Sequence, residues 1–449
     1  MFYRKALHRL HIWANEKDRK PLVLRGARQT GKTTLVLLFA ESFDQFIHLN
    51  LEKEEEKNLF STTGNFNQLL EAIFYLKKAD KTKQRTLLFI DEIQNSPKAV
   101  EYLRYFYEDA KNIYVIAAGS LLETLIDRQI SFPVGRVDFL PVRPCTFEEF
   151  LGATGEDKNL ELIKEAVVPP YAHVHLSRLF KTYTIIGGMP EIISNYRQNR
   201  DLNKLVDIYD RLIVSYQEDV EKYARNQTMA NIFRHIIGSA FQYAGTRITF
   251  EKFGQSQYRS REMGEAFRIL EKTMILQLIY PVSKTKLPLE EKIRLSPKLM
   301  MLDTGLVNHS AGLQRQLYLS NNIDEVYEGK IAEHMVGQNL LAAKPSVRSK
   351  LNFWIPSKAK AEAEIDFVLP WKDLVVPVEV KSGSSGRLRS LHRFVDDAPH
   401  NIAVRIYDNT FSIEDTQTLK GKQYKLINVP FYLTGQLEKV LNKVIDEGP

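Results

Sequence analysis

The chain has 449 residues, of which 44% are hydrophobic and 26% charged, and its formal net charge is +7. Because a single hydrophobic core stops growing at about 250–300 residues, this length predicts two to four globular domains. The lone cysteine, Cys145, excludes an intramolecular disulfide framework and a CxxC-type zinc site. There is no apolar run of the roughly 18 residues that a membrane span needs and no signal-peptide pattern. The sequence therefore predicts a cytoplasmic protein with no membrane partner.

The first third alternates short apolar strands with amphipathic segments. Strands are predicted in "PLVLRG", "FIHLNL", "RTLLFIDE" and "IYVIAAGS". Strict alternation of strand and helix is typical of a parallel sheet covered by helices on both faces. We therefore predict an α/β fold for residues 1–150.

The middle of the chain is predicted to be helical. Residues 151–225 read as a helical lid or linker, interrupted by the bend "GGMPE". Residues 226–320 read as helix, turn, helix, longer helix and β-ribbon, an order that suits a winged helix. Residues 251–300 carry 10 Lys and Arg against 6 Asp and Glu, a local charge of +4. Together with the basic pI near 9.0, this charge is compatible with nucleic-acid binding.

The last part, residues 321–449, begins with the helix "GKIAEHMVGQNL" and continues with three strands, which include "AEIDFVLP" and "VVPVEVKSG". A Ser/Gly turn, the basic helix "GRLRSLHRFVDDA" and further strands complete it. We therefore predict a second α/β domain in this region.

The segment "GARQTGKT", residues 26–33, matches G-x-x-x-x-G-K-[ST] between an apolar strand and a helix. Glycines let backbone N–H groups turn inward around phosphates, and the helix N-terminus adds the positive end of its dipole. Lys32 is expected to reach the β- and γ-phosphates, and Thr33 to bind Mg²⁺. The candidate nucleotide-binding residues lie in this loop or at the end of the strand that holds the metal: Gly26, Ala27, Arg28, Gln29, Thr30, Gly31, Lys32, Thr33, Thr34 and Asp91.

Asp91 and Glu92 end the predicted strand "TLLFIDE". In open α/β folds, ligands bind at this carboxyl-terminal edge of the sheet. Asp91 is expected to hold Mg²⁺, and Glu92 to polarise the attacking water. Ser120 ends the next strand and is expected beside Glu92 and the γ-phosphate. Arg128 and Arg136 are candidates for neutralising transition-state charge, in cis or from a neighbouring subunit. For both arginines, a surface or salt-bridged role is the alternative.

A second constellation is spread over the predicted C-terminal domain. Asp366 and Glu379 lie on successive strands, and pairing of these strands makes two hard oxygen ligands suited to Mg²⁺. Glu333, on the preceding helix, is a further candidate ligand. Lys381 shares a strand face with Glu379 and is expected to orient a water nucleophile and stabilise charge on a phosphodiester. The same residues also fit cross-strand ion pairs without any metal.

These motifs carry a resemblance. Residues 1 to about 150 resemble an AAA-type P-loop ATPase, through "LRGARQTGKTTL", "LLFIDEIQ" and "AAGS". With "VGRV", "TFEEF", "GGMPE", "GKIAEHMVGQNL", "EIDFVL" and "VEVKSG", the whole chain resembles a family of prokaryotic ATPases with a poorly characterised C-terminal half. The resemblance implies ATP rather than GTP, and it implies a homo-oligomer if the arginine finger acts across subunits. The C-terminal element order with D…ExK is similar to the PD-(D/E)xK nuclease, or restriction-endonuclease-like, fold.

Two functional hypotheses follow. The first is a Mg²⁺-dependent ATPase whose nucleotide state moves a DNA-binding, nuclease-like C-terminal half. The second is an ATP-driven switch whose nuclease-like domain is catalytically inactive and binds a protein or nucleic-acid partner. A winged helix serves either, because the same fold packs on proteins and enters the major groove.

Overall fold

The computed structural model describes residues 2–119, 133, 135–319, 329–357, 363–381 and 388–446. The chain divides into two compact units. The first contains Met1–Arg143 with Lys272–Met274 and Pro345–Arg348, and the second contains Pro144–Glu271, Ile275–Lys344 and Ser349–Pro449. Within the described ranges, no helix has the length and apolarity required to cross a membrane.

The first unit is built on a parallel sheet. Its strands are β1 Leu22–Arg25, β2 Gln45–Asn50, β3 Thr86–Asp91, β4 Ile113–Gly119 and β5 Asp138–Pro141, in the order β2-β3-β4-β1-β5. Every pairing in this sheet is parallel. Its helices are α1 Lys5–Ala14, α2 Lys32–Ala40, α3 Glu54–Thr62, α4 Phe66–Leu76 and α5 Pro97–Asp109. The parallel α/β sheet predicted for the first third of the chain is confirmed.

The sheet of the first unit has a hydrophobic core on each face. Successive strand residues point to opposite sides, so Val23 joins the cluster that contains Phe106 of α5, whereas Leu24 joins the cluster that contains Phe39 of α2. All six residues of β3 are buried, as expected for a strand covered on both faces. This double cover holds the C-terminal ends of β1 and β3 in place.

The remaining helices of the described chain are α6 Phe147–Thr154, α7 Asp157–Glu165, α8 His173–Ile186, α9 Pro190–Asn199, α10 Val206–Glu221, α11 Gln227–Ala240, α12 Ser260–Lys272, α13 Thr304–Ser310, α14 Gln314–Leu319, α15 Lys330–Ala343, α16 Arg389–Asp397 and α17 Leu437–Asp446. The region from α6 to α12 is helical, as the sequence predicts.

The second sheet is mixed. Its strands are β6 Leu276–Val282, β7 Lys298–Met301, β8 Asn352–Trp354, β9 Ile365–Trp371, β10 Leu374–Lys381, β11 Ile402–Tyr407, β12 Ser412–Gln417 and β13 Gln423–Pro430, in the order β12-β13-β11-β10-β9-β8-β6-β7. β9 and β10 are antiparallel neighbours, and β10 also pairs in parallel with β11. The strand that ends in Glu379 and Lys381 is therefore internal to the sheet and not at its edge.

The ribbon expected of a winged helix has a different setting. β6 and β7 pair antiparallel, as such a ribbon does, but β6 also pairs in parallel with β8. The two strands thus form one end of the eight-stranded sheet. The pairing joins residues distant in sequence, which leaves no local pattern from which to predict it.

A buried aspartate ties the helical part of the second unit together. The Asp303 carboxylate is fully buried and accepts hydrogen bonds from the backbone N–H of Gly188 at 2.5 Å and of Leu306 at 3.3 Å. It also accepts one from the side-chain amide of Gln338 at 3.2 Å. Burying an ionised group without such donors is costly, so this network specifies how α8, α13 and α15 meet.

We predict that Gly188→Ala destabilises the second unit. A Cβ built at Gly188 lies 2.3 Å from the carbonyl oxygen of Cys145, with which its backbone pairs, so the two segments must separate. A forced overlap of this kind costs about 1–3 kcal/mol, which we expect as a lower urea midpoint in far-UV circular dichroism. The control is Gly238→Ala inside α11, where a Cβ meets nothing within 4 Å. An unchanged midpoint for Gly188→Ala would contradict the tight approach.

Candidate functional site

The segment between β1 and α2 forms a closed loop. Gln29 and Gly31 have positive φ of 61° and 91°, which turns the chain back over its own N–H groups. The Thr30 hydroxyl donates to the Ala27 carbonyl at 2.9 Å. The Lys32 ammonium donates to the carbonyl oxygens of Gly26 and Ala27, each at 2.9 Å. Lys32 therefore points into the cradle where phosphates are expected.

The residue type at the first position of this loop is dictated by a neighbouring backbone. A Cβ at Gly26 lies 2.2 Å from the carbonyl oxygen of Val142. Val142 in turn donates its N–H to the carbonyl of Arg25 at 2.6 Å. Any side chain at position 26 pushes the loop away from the sheet that supports it.

The candidate metal-binding residues of the first unit lie in contact. The Thr33 hydroxyl donates to the Asp91 carboxylate at 2.9 Å, which links the first turn of α2 to the end of β3. His48 on β2 lies 3.7 Å from the same carboxylate oxygen and stacks on Phe89. A hydroxyl and a carboxylate are the donors that Mg²⁺ prefers, so this pair fits the ion, and His48 is an additional neighbour that sequence reasoning missed.

Glu92 directly follows Asp91 and is held by a second side chain. Its backbone has a positive φ of 53°, and its carboxylate accepts a short hydrogen bond from the side-chain amide of Gln94. Burial raises the pKa of Glu92 above its ordinary value, and the nearby Asp91 adds to that rise. The oxygen of the same Gln94 amide lies so close to Gly119, the last residue of β4, that a Cβ there would be 2.3 Å away. Gln94 was not predicted as a site residue, although it stands in the motif "FIDEIQ".

The remaining predicted residues of the first unit have different outcomes. Arg136 is paired with Glu108 at 2.5 Å, and Glu108 also pairs with Arg104. This surface ion pair is the alternative that the sequence left open for Arg136. Ser120 and Arg128 lie outside the described residues.

A buried arginine supports the phosphate loop from the N-terminal segment. Arg4, which precedes α1, donates to the carbonyl of Thr30 at 3.0 Å and to the carbonyl of Arg143 at 2.7 Å. It thereby ties the loop to the chain that follows β5. No sequence motif marks Arg4, because its partners are distant in sequence.

In the second unit, the predicted carboxylates meet at the β9–β10 pair. Asp366 accepts a hydrogen bond from the backbone N–H of Val380 at 2.8 Å. Lys381 pairs with one oxygen of Glu379 at 2.6 Å, while the other oxygen, Oε2, is buried and finds no hydrogen-bond partner within the described ranges. Burial and the Asp366 charge raise the pKa of Glu379 to about 7.

A lysine that sequence reasoning missed lies among the carboxylates. Lys298 on β7, with only 5% of its side chain exposed, pairs with Glu333, with Glu364 at 2.6 Å and with Asp366 at 3.7 Å. Burial raises the pKa of Glu333 to about 8, with Asp366 adding to the rise. Burial alone would lower the pKa of Lys298, but Glu333, Asp366 and Glu364 together raise it. Lys298 is therefore charged.

The second cluster, as arranged, does not fit the metal ion that a PD-(D/E)xK site implies. Lys298 and Lys381 already supply positive charge to Glu333, Asp366 and Glu379. Over the described part of the chain, no group of three or more His, Cys, Asp and Glu side chains is arranged to hold a metal. Of these ion pairs, Lys381–Glu379 joins two residues that the sequence offered for ion pairing, whereas the pairs of Lys298 were not predicted.

A cavity of about 550 Å³ lies beside helix α16. Its lining includes Arg389, His392 and Arg393 of that helix, together with Trp354 and Lys420. Two acidic side chains of α16, Asp396 and Asp397, belong to the same lining, and Asp396 pairs with Lys420 at 3.6 Å. The cavity thus combines cations with an aromatic ring.

Three family models match consecutive parts of the chain. Residues 18–151 match an AAA domain, residues 177–317 match a domain of unknown function (DUF8612), and residues 328–431 match a second domain of unknown function (DUF4143). The chain therefore carries an AAA-type P-loop ATPase domain followed by two uncharacterised domains.

Individual relatives are distant. The uncharacterized protein MJ1544 of Methanocaldococcus jannaschii is 26% identical over 226 residues, which cover 49% of this chain and 46% of that protein. The chain thus matches less than half the length of this curated relative. The Walker-type ATPase PABY2304 of Pyrococcus abyssi aligns at 16% identity with a TM-score of 0.45, over 69% of this chain and 96% of that one. The Orc1 protein of Aeropyrum pernix, in complex with DNA, aligns at 13% with a TM-score of 0.30, over 70% and 93%.

We predict that Gly26→Ala weakens nucleotide binding. The added methyl group meets the Val142 carbonyl and displaces the N–H groups that would face the phosphates. Losing one charge-assisted hydrogen bond costs about 1.5–3 kcal/mol, or roughly tenfold to a hundredfold in affinity. The measurement is titration with a fluorescent ATP analogue, with Gly238→Ala as the control. Equal affinity in the two variants would show that the loop tolerates a side chain there.

Proposed function

We propose that this chain binds and hydrolyses ATP with Mg²⁺, and that its nucleotide state is coupled to DNA binding by the C-terminal half. The observation that carries the first part is the contact between Thr33 and Asp91 beside Lys32. These residues place a hydroxyl, a carboxylate and an ammonium at one end of a parallel sheet. That combination serves phosphoryl transfer, in which positioning and charge stabilisation do most of the catalytic work.

ATP binding is expected to replace the present hydrogen-bond partners of Lys32 with phosphate oxygens. In the structure, Lys32 is bonded to two neutral carbonyl oxygens, and phosphate oxygens offer it a stronger, charge-assisted bond. The loop N–H groups and the N-terminus of α2 are expected to bind the same phosphates. Thr33 and Asp91 would hold Mg²⁺, which would neutralise charge on the phosphates.

Glu92 is the proposed general base. Its pKa, raised by burial, suits a group that accepts a proton from water near neutral pH. Gln94 donates to Oε2 of the same carboxylate and so orients Glu92, and an ionised carboxylate can accept a further hydrogen bond from the attacking water. Ser120 is proposed to bind the γ-phosphate. Arg136 is proposed as the finger of a homo-oligomer, which requires it to exchange Glu108 for a neighbouring subunit's nucleotide.

The proposed DNA partner rests on charge. Helix α16 buries Leu391 and Phe394 and lines the adjoining cavity with Arg389 and Arg393. Guanidinium groups are well suited to phosphates, and both arginines belong to the same cavity lining. Cleavage by Asp366, Glu379 and Lys381 is not part of this proposal, since Lys298 and Lys381 already pair with the carboxylates.

We expect Lys32→Ala to lose nucleotide binding and turnover, because the ammonium of a P-loop lysine is the group expected to bind the β- and γ-phosphates. Glu92→Gln should keep ATP binding but lower kcat by about 10²–10⁴-fold, the usual contribution of a general base. Phosphate release and fluorescent-nucleotide binding, measured on the same preparations, separate the two effects. Glu101→Gln, an exposed glutamate on α5, is the matched control. Undiminished ATPase activity of purified Lys32→Ala would contradict the proposal that this loop binds and hydrolyses ATP.

We expect Arg393→Ala to weaken DNA binding and to reduce the slope of log affinity against log salt by about 1, as for one lost phosphate contact. The measurement is fluorescence anisotropy of labelled duplex and single-stranded DNA over a salt series. Lys158→Ala removes the same charge from the exposed surface of α7 and serves as the control. If the unaltered chain binds no DNA and its ATPase rate is the same with and without DNA, the C-terminal half is better explained as a protein-binding module.

A further inference from the structure

The carboxylate cluster of the second unit has a buried lysine at its centre. The Lys298 ammonium contacts carboxylates from two different elements, Glu333 of α15 and Glu364 and Asp366 at the start of β9. Lys298 as a whole residue is only 4% exposed to solvent. A compact cation that contacts three carboxylates in a buried site stands where a bound metal ion would stand.

The lysine and a divalent ion exclude each other in this cluster. A Mg²⁺ ion binds carboxylate oxygens at about 2.0–2.1 Å, so an ion on Asp366 and Glu333 needs the volume that the Lys298 ammonium fills. If the ammonium stayed within a few ångströms, the two cations would also repel each other strongly in this poorly screened interior. One of the two therefore has to leave.

A second observation concerns Glu379, whose carboxylate is only partly satisfied by the lysines of the cluster. Glu379 is 6% exposed, and its Oε2 atom has no hydrogen-bond partner among the residues that the structure describes, although Lys381 pairs with Oε1. A buried carboxylate oxygen without a donor is costly. Glu379 lies beside Asp366, since Val378 pairs with Phe367 and Val380 donates to Asp366, so a divalent ion that replaced the Lys298 ammonium would also satisfy this oxygen.

The lysine reaches the cluster from another part of the sequence. Lys298 lies in the region that matches DUF8612, whereas Glu333, Glu364 and Asp366 lie in the region that matches DUF4143. Arg247 accompanies it: the two residues form a β-bridge, and Arg247 pairs with Glu364 at 2.5 Å. Both cations also lie over the ring of Phe353. Packing against β8 thus holds Lys298 in position.

We propose that Lys298 and a divalent cation are alternative occupants of one site, and that Lys298 holds this site in the folded chain. The cluster is then an ion-pair lock between the two uncharacterised regions, and it becomes a metal site only when the lysine is removed. This inference is independent of ATP hydrolysis and of DNA binding.

The test measures Mn²⁺ binding by electron paramagnetic resonance, in the full chain without nucleotide. All chains carry Thr33→Ala, so that the phosphate loop does not contribute a metal ligand. We expect Lys298→Met to bind Mn²⁺ about tenfold or more tightly than its parent, because the competing charge is gone. Adding Asp366→Asn should abolish the gain. Lys350→Met, which removes another lysine paired with a glutamate, should show none.

Two results would overturn the proposal. One is Asp366-dependent Mn²⁺ binding by the chain that retains Lys298, with an affinity within about threefold of the Lys298→Met chain. The other is a folded Lys298→Met chain that gains no Asp366-dependent Mn²⁺ binding.

Lys298→Gln keeps a hydrogen-bond donor and provides a second variant, with circular dichroism as the check of folding. If neither variant folds, the chain with Lys298 decides: no Asp366-dependent Mn²⁺ binding supports the lock, and such binding refutes it.

Discussion

A lysine ammonium that leaves water must be surrounded by oxygen atoms, and this requirement shapes both candidate sites. In the first unit, Lys32 turns back to the carbonyls of Gly26 and Ala27. In the second, Lys298 lies among Glu333, Glu364 and Asp366. Because isolated buried charge is so costly, each lysine determines how the segments around it are arranged.

The two lysines differ in how readily they change partners. Carbonyl oxygens carry only partial charge, so a phosphate group competes for Lys32 with a stronger bond. Carboxylates carry full charge, and removing one partner of a buried ion pair typically costs about 3–5 kcal/mol. The first site is thus built for exchange with a ligand, while the second is built to remain closed. The chemistry of the oxygen atoms, and not the number of acidic residues, separates a binding site from a structural cluster.

How much of the molecule can be predicted from its sequence depends on whether the residues that form a feature are close together in the chain. The phosphate loop and the Asp91–Glu92 pair are local patterns, and a parallel sheet follows from alternating strands and helices, so these features are readable residue by residue. Asp366 and Glu379 are recognisable because their strands are consecutive. Lys298 is not, since its carboxylate partners lie 35 or more residues away and nothing in "SPKLMM" indicates a buried charge. The setting of the β6–β7 ribbon is hidden for the same reason, because its partner β8 is distant in sequence.

The long-range polar contacts also bear on what a domain is in this chain. Asp303, from the DUF8612 region, accepts a hydrogen bond from Gln338 of α15, which lies in the DUF4143 region. Lys298 and Arg247 cross the same boundary to reach Glu333 and Glu364. Separating the two regions would leave Asp303 short of a donor and several carboxylates without cations, each at the cost of a buried polar group that has lost its partner. The two family regions therefore depend on each other for their polar interiors, and a ligand that altered the Lys298 cluster would act on both.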